Sequence, residues 1–119
     1  MPRYALLRHT GAPDDPSGCH FDLLLEDGAT CRTWRLAEIP IVNAAEQDAI
    51  PLPAHRLIWL EPRSAEVSGE RGWAERIRAG RFQGNLPTDA NEPVDVIFMD
   101  GDLSGHLNIV QGRCRLSKP

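Results

Sequence analysis

Apolar and polar residues alternate in two short segments near the N-terminus, which is the pattern of β-strands with one buried face. The alternation predicts strands over Arg3 to His9 and over Cys19 to Glu26. Because side chains two positions apart share a face of a strand, one face of the second segment is entirely apolar. We expect this face to pack in the core: Cys19, Phe21, Leu23 and Leu25.

Two Gly-Asp pairs between such segments predict β-hairpins. Asp27-Gly28 separates the second strand from a third over Ala29 to Leu36. Gly101-Asp102 joins a strand over Val94 to Asp100 to one over Leu103 to Val110, and Arg113 to Leu116 extends the sheet.

Prolines divide the middle of the chain, and turns marked by glycine and proline recur about every eight to twelve residues, which predicts many short strands. Between the prolines, Asn43 to Ile50 is expected to form one or two helical turns, and His55 to Glu61 a strand. Gly72 to Arg78 fits either a helix or a strand by period, and its flanking glycines favour a strand. Seven or eight short strands predict one mostly β domain over residues 1–119, a small closed or nearly closed antiparallel β-barrel with minor helical decoration.

Composition narrows the class of protein. The chain has 119 residues, enough for one core, and its three cysteines are widely spaced without a C-x-x-C pair. No apolar run has the length of a membrane helix, and the N-terminus lacks the basic-then-apolar order of a signal peptide. We therefore expect a cytoplasmic protein that does not contact membranes.

Charge argues against avid, sequence-indifferent binding of nucleic acid, because the formal net charge is -4. Twelve of the 13 basic residues are nevertheless Arg, whose planar fork matches phosphate oxygens. Four of them fall within eleven residues and form either a phosphate-facing strand or a solvated face: Arg71, Arg76, Arg78 and Arg81.

Candidate metal ligands lie on the two N-terminal strands. His20 and Asp22 project from the same face, and His9 ends the preceding strand. The loop from Thr10 to Cys19 can return the chain so that the two histidines are neighbours. Two imidazoles and one carboxylate hold a first-row divalent ion and leave coordination positions open. The alternative is an ordinary hydrogen-bonded His-x-Asp pair, with His9 and His55 as strand-end residues.

The order of motifs is similar to that of a known family. Arg-His near the N-terminus is followed by H-F-D-L-L-L-E-D-G, T-W-R-L, P-x-H-R, V-S-G-E-R-G and finally L-S-G-H-L-N-I-V. This series resembles the 3'-phosphoesterase domain of bacterial DNA ligase D, in which a strand-ending His precedes H-Y-D-F-R-L-E-x-D-G and a late L-x-G-x-x-x-L-V strand. The resemblance covers about Tyr4 to Leu116, nearly the whole chain.

The resemblance implies a metal-dependent phosphoesterase that removes 3'-ribonucleotides or 3'-phosphates from nucleic-acid ends in DNA repair. The metal ligands would be His9, His20 and Asp22. The metal would be Mn2+, with Zn2+ or another first-row ion as alternatives. The downstream His55 would contact phosphate and take part in catalysis. We assign substrate contacts also to Arg35 and Arg71. A separate ligase or polymerase is the implied protein partner.

Three departures from the family pattern lower the activity expected of a phosphoesterase and affect its binding of phosphate. Leu24 replaces an Arg that would bind phosphate on the metal-facing side, and loss of such a donor typically costs on the order of 100- to 1000-fold in rate. Strand alternation places Arg8 and Arg56 on the wrong faces, so Arg35 is the best substitute. Trp59 stands where the family has Tyr, and the loop after His9 is longer and acidic at Asp14 and Asp15, which would repel phosphate.

Three functions remain open at the level of sequence. One is the phosphoesterase, and a second is a weak or inactive module that binds metal and phosphate and recruits a repair partner. The third is a structural or small-ligand barrel in which the histidines are incidental.

Overall fold

A computed structural model describes all residues, 1–119, and consists almost entirely of β-strands. The strands are β1 Arg3–Thr10, β2 Cys19–Asp27, β3 Thr30–Leu36, β4 Gln47–Asp48, β5 Ile50–Arg56, β6 Ser64–Glu66, β7 Trp73–Gln83, β8 Val94–Gly101, β9 Gly105–Val110 and β10 Arg113–Ser117. The single helix is a 3-10 turn over Leu57–Leu60. None of the chain's helical structure has the length and apolar character that a membrane span requires.

The strands form one antiparallel sheet in the order β4-β10-β9-β8-β7-β1-β2-β3-β5, with β6 added beside β7. No hydrogen bonds join the end strands β4 and β5 to each other. These strands are nevertheless consecutive in the chain, because only Ala49 separates them, and its N–H donates to the Gly112 carbonyl at 2.8 Å. One continuous segment thus connects both edges of the sheet, and the prediction of a mostly β, nearly closed barrel is confirmed.

Most of the predicted strands are present, with shifted ends. The first hairpin turns at Gly28 and Ala29, one residue later than predicted, because Asp27 already pairs with Thr30. The second hairpin joins β8 to β9 as expected, although both Gly101 and Gly105 belong to its strands.

Two predictions in the middle of the chain are wrong. Asn43 to Ile50 forms turns and the short β4 instead of helical turns, and the strand predicted over His55 to Glu61 lies earlier, over Ile50–Arg56. Pro51 and Pro53 are tolerated in β5 because it is an edge strand, whose outer side needs no N–H donors.

The strands β1 and β2 are buried on both faces. On one face, Tyr4, Leu6, Leu23 and Leu25 belong to a core cluster of 16 buried residues inside the sheet. On the opposite face lies a second cluster of six residues, Ala5, Leu7, Leu24, Cys31, Leu60 and Ala74, covered by the segment from residue 57 to 72. The polar residues of β1 and β2 continue this second face, so the candidate site lies there. Cys19, which we expected in the core, is half-buried outside both clusters.

Candidate metal centre

The register between β1 and β2 brings the three candidate ligands together. His9 pairs with His20, and Leu7 pairs with Asp22. Side chains at paired positions share a face, so the two imidazoles lie side by side with their ring centroids 4.7 Å apart. All three side chains are buried, with 8% of His9, 3% of His20 and 1% of Asp22 exposed.

The Asp22 carboxylate lies between the two rings. Its Oδ2 is 3.2 Å from His9 Nδ1, and its Oδ1 is 3.1 Å from His20 Nε2. The three ligand atoms lie within 4.8 Å of one another, so the group can hold a metal ion. The structure thus unites the three ligands that the sequence predicts.

The outer nitrogen of each ring has a fixed acceptor. His9 Nε2 donates to the Arg71 carbonyl at 2.7 Å, and His20 Nδ1 donates to the Asp15 carboxylate at 2.7 Å. Carbonyl and carboxylate oxygens only accept, so each outer nitrogen must carry the proton in a neutral ring. The lone pairs of His9 Nδ1 and His20 Nε2 therefore face Asp22, in the orientation that metal-ligating histidines adopt.

Unsatisfied polar atoms support a cation at this position. His20 Nε2 and Asp22 Oδ1 are buried and have no hydrogen-bond donor, although they face each other. A lone pair opposite a carboxylate oxygen is unfavourable in a buried site, and a divalent ion would satisfy both atoms. The residues present therefore fit a metal ion.

Electrostatics keep the carboxylates ionised. Burial alone would raise the pKa of Asp22, but its contacts with His55 and His9 and the nearby His20 hold the pKa far below its usual range. The Asp22 carboxylate, whose Oδ2 is 3.2 Å from His9 Nδ1, raises the pKa of His9. Hydrogen bonds from Ser17 and from His20 lower the pKa of Asp15 to about 2, so this carboxylate accepts from His20 as an anion at neutral pH.

His55 reaches the site from the end of β5. Its Nδ1 lies 3.1 Å from the Pro53 carbonyl, which fixes the proton on that nitrogen. Its Nε2 points toward Asp22 Oδ2 at 3.8 Å, beyond hydrogen-bond distance. Its side chain is 24% exposed, more than either buried histidine, so it faces the open side of the site.

A cavity of about 580 Å³ opens above His9, Asp22 and His55. Its walls contain four arginines, Arg35, Arg56, Arg63 and Arg71. An arginine-lined cavity above a potential metal site is suited to an anion that binds both the metal and guanidinium groups.

Comparison with known proteins provides no direct assignment. No protein-family model matches the chain. No curated protein matches it either. The interpretation of the site therefore depends on its own geometry.

Arg35, which strand alternation leaves as a substitute for an Arg at position 24, lies beside the candidate ligands. It pairs with Asp22 across β2 and β3 and so projects beside the carboxylate into the cavity. Its Nε is buried without a partner, and one terminal nitrogen contacts the exposed Asp14 at 3.2 Å. Leu24, in contrast, is completely buried in the apolar cluster below the site.

Several sequence-based expectations need correction. Asp15, expected to repel phosphate, instead orients His20. Arg56 lines the cavity together with His55, because β5 ends there and strand alternation no longer holds. Trp59, which stands where the resembled family has Tyr, packs against the second cluster and also lines the cavity.

Of the four clustered arginines at positions 71–81, only Arg71 lines the cavity. Arg71 lines the cavity, and its carbonyl, which sequence reasoning missed, accepts from His9. Its guanidinium bonds to Ser68 at the carbonyl and at Oγ. Arg76 donates to the Leu60 carbonyl and Arg81 pairs with Asp100, so these side chains do not form a phosphate-facing row. Arg63 also lines the cavity and lies in the connection between the 3-10 turn and β6, where the sequence carries no periodic signal.

Proposed function

We propose that this protein is a divalent-metal-dependent phosphoesterase that removes 3'-phosphates or 3'-ribonucleotides from nucleic-acid ends in DNA repair. One observation carries the proposal: the inner nitrogens of His9 and His20 converge on a buried carboxylate at the base of an arginine-lined cavity. The motif series that resembles the DNA ligase D phosphoesterase domain supports the same reaction. The three free cysteines agree with a cytoplasmic location.

The roles of the residues follow from their positions. His9 Nδ1, His20 Nε2 and a carboxylate oxygen of Asp22 would hold the ion. When bound, the ion supplies a Lewis acid for a phosphate oxygen and lowers the pKa of water. We propose Mn2+ as the physiological ion, as the family resemblance implies; the two imidazoles and one carboxylate also suit other first-row divalent ions such as Zn2+.

The open side of the site would bind and activate the phosphate. Arg35 and Arg71 lie in the cavity wall and would bind the non-reacting phosphate oxygens. His55 keeps its proton on Nδ1 in the neutral ring, and its exposed Nε2 faces the cavity. After protonation at Nε2, His55 would donate that proton to the leaving oxygen, as a general acid does.

The test combines metal content with turnover. Wild-type protein loaded with Mn2+ is incubated with a 3'-phosphorylated and a 3'-ribonucleotide primer, beside His20→Ala and the matched control His106→Ala. His106 is a half-buried histidine of β9 outside the cavity. We expect one ion and turnover in the wild type and the control, and neither in His20→Ala. Equal turnover of His20→Ala and wild type would contradict the proposal.

A module that binds metal and phosphate without turnover is the second candidate. It is favoured by Leu24, whose burial leaves no guanidinium at the family position, and by Arg35, which Asp14 already occupies. Such a module would recruit a separate ligase or polymerase to a 3' end. Bound Mn2+ and bound phosphate without product on either primer would identify this function.

A further inference from the structure

The positive charge of this protein is concentrated at the cavity. Four of its 13 basic residues line the cavity, together with three of its 17 acidic residues, Asp14, Asp22 and Glu66. The remaining surface and interior therefore hold nine basic and 14 acidic residues. With a net formal charge of -5 outside the cavity, the rest of the protein would on average repel a long polyanion.

The size of the cavity matches a small molecule. Its volume of about 580 Å³ lies within the roughly 300 to 1,000 Å³ of small-molecule sites. Two of the candidate ligands, His9 and Asp22, line one part of it together with Arg35, and β5, the 3-10 turn and the loops around them provide the rest.

One wall offers flat groups next to the phosphate site. The Arg63 guanidinium lies over the Trp59 ring, 4.7 Å from its centroid, and both residues line the cavity. Indole and guanidinium planes are the groups on which nucleobases stack. The ligand therefore has an anionic end at the metal and a planar end at Trp59 and Arg63.

We propose that the site takes a single nucleotide unit with a terminal phosphomonoester, and that the protein makes no productive contact with phosphates further along a strand. This inference rests on the phosphate-binding function proposed above. A free nucleoside 3'-phosphate should accordingly be bound about as well as the same nucleotide at the end of a strand.

Salt dependence separates this proposal from strand binding. Affinity for a single strand falls with a slope of about -0.7 per phosphate contacted on a double logarithmic scale. Between about 50 and 200 mM KCl, two contacts cost about sevenfold, whereas six contacts cost on the order of 300-fold.

The experiment uses ligands that cannot be hydrolysed. The full chain loaded with Mn2+ is titrated by calorimetry with adenosine carrying a 3'-methylenephosphonate, in which carbon replaces the ester oxygen. The second ligand is an oligonucleotide of about 12 residues that ends in the same group. We expect dissociation constants within about threefold of each other and a loss below about tenfold between the two salt concentrations.

Variants test the planar wall. Trp59→Leu should weaken binding of the adenosine ligand by about 5- to 150-fold, the range for losing one stacked base. It should leave the affinity for inorganic phosphate unchanged. Trp73→Leu is the matched control, because Trp73 is 46% exposed and lies outside the cavity.

The outcomes separate this inference from the proposed hydrolysis. Much tighter binding of the oligonucleotide with a loss of hundreds of fold in salt overturns the inference, as does the absence of binding by both ligands. Equal affinity with shallow salt dependence supports it, whether or not the primers used above are hydrolysed.

Discussion

Replacement of Asp15 by Asn tests whether the metal site depends on the loop between β1 and β2. Asp15 Oδ2 accepts from His20 Nδ1, while its Oδ1 accepts from the Ser17 backbone N–H at 3.0 Å and from Ser17 Oγ at 2.6 Å. Both carboxylate oxygens therefore face donors. An Asn side chain has only one acceptor oxygen, so its NH2 group must face either His20 or Ser17.

The size of the effect follows from the role of this hydrogen bond. Loss of an outer partner of a ligating histidine typically reduces metal affinity by about 10- to 100-fold, or about 1.4 to 2.7 kcal/mol. We expect this loss for Mn2+ binding to Asp15→Asn, measured by competition with a fluorescent chelator.

Asp14→Asn is the matched control for this measurement. Asp14 is the adjacent acidic residue, its side chain is 72% exposed, and it contacts Arg35 instead of a histidine. The same change of charge there should alter Mn2+ affinity by less than about twofold, because exposed charges are well screened. Wild-type affinity in Asp15→Asn, with loss of binding in His20→Ala, would refute the idea that Asp15 orients the ligand.

Three further predictions concern stability. Asp22→Asn should abolish the stabilisation by metal, about 2.7 kcal/mol at 100 times the dissociation constant. In a urea titration Mn2+ should therefore raise the unfolding free energy of the wild type and leave that of Asp22→Asn unchanged, and an equal increase in both would contradict the role of Asp22 as a ligand. Gly72→Ala should destabilise the fold by at least about 1 kcal/mol, because Gly72 has a φ of 93° and a Cβ would lie 2.1 Å from a backbone oxygen at the end of β1. It should also weaken metal binding, because Gly72 follows Arg71, whose carbonyl accepts from His9. Unchanged metal affinity would contradict this second effect. Hydrogen bonds from Arg3 lower the pKa of Glu26 below 4.5, so the stability contributed by this carboxylate is present above pH 4.5 and is lost as the pH falls through the lowered pKa. Glu26→Gln should therefore lose less unfolding free energy than the wild type between about pH 5 and pH 3. The same loss in both proteins would count against this role of Glu26.

Strand periodicity was sufficient to predict most of the sheet and the three ligands. His20 and Asp22 share a face in any regular strand, and a short return loop places His9 on the neighbouring strand. Both features depend only on residues near one another in the chain, so strand periodicity predicts them from the sequence. The second buried face was harder to foresee, because Leu7 and Leu24 are apolar on the side that alternation assigns to polar residues.

The groups that support the ligands could not be predicted in the same way. Asp15 and the Arg71 carbonyl reach the histidines through loop conformations that no periodicity encodes. The strand predicted over His55 to Glu61 was misplaced because Pro51 and Pro53 were expected to divide the chain there, whereas the edge position of β5 accommodates them.

The local conflict at Asp22 is the strongest physical argument for a function at this site. His20 Nε2 and Asp22 Oδ1 are buried, face each other and have no hydrogen-bond partner, and buried polar atoms without a partner are uncommon in proteins. The rest of the second face is apolar and consistent with its strands, so selection for stability alone does not account for the conflict. Sequences violate their own rules of packing mainly where a ligand or a reaction requires it. The acceptors that hold His9 and His20 in place, the Arg71 carbonyl and the Asp15 carboxylate, make the arrangement specific, because they fix both rings in the orientation in which a cation satisfies Asp22.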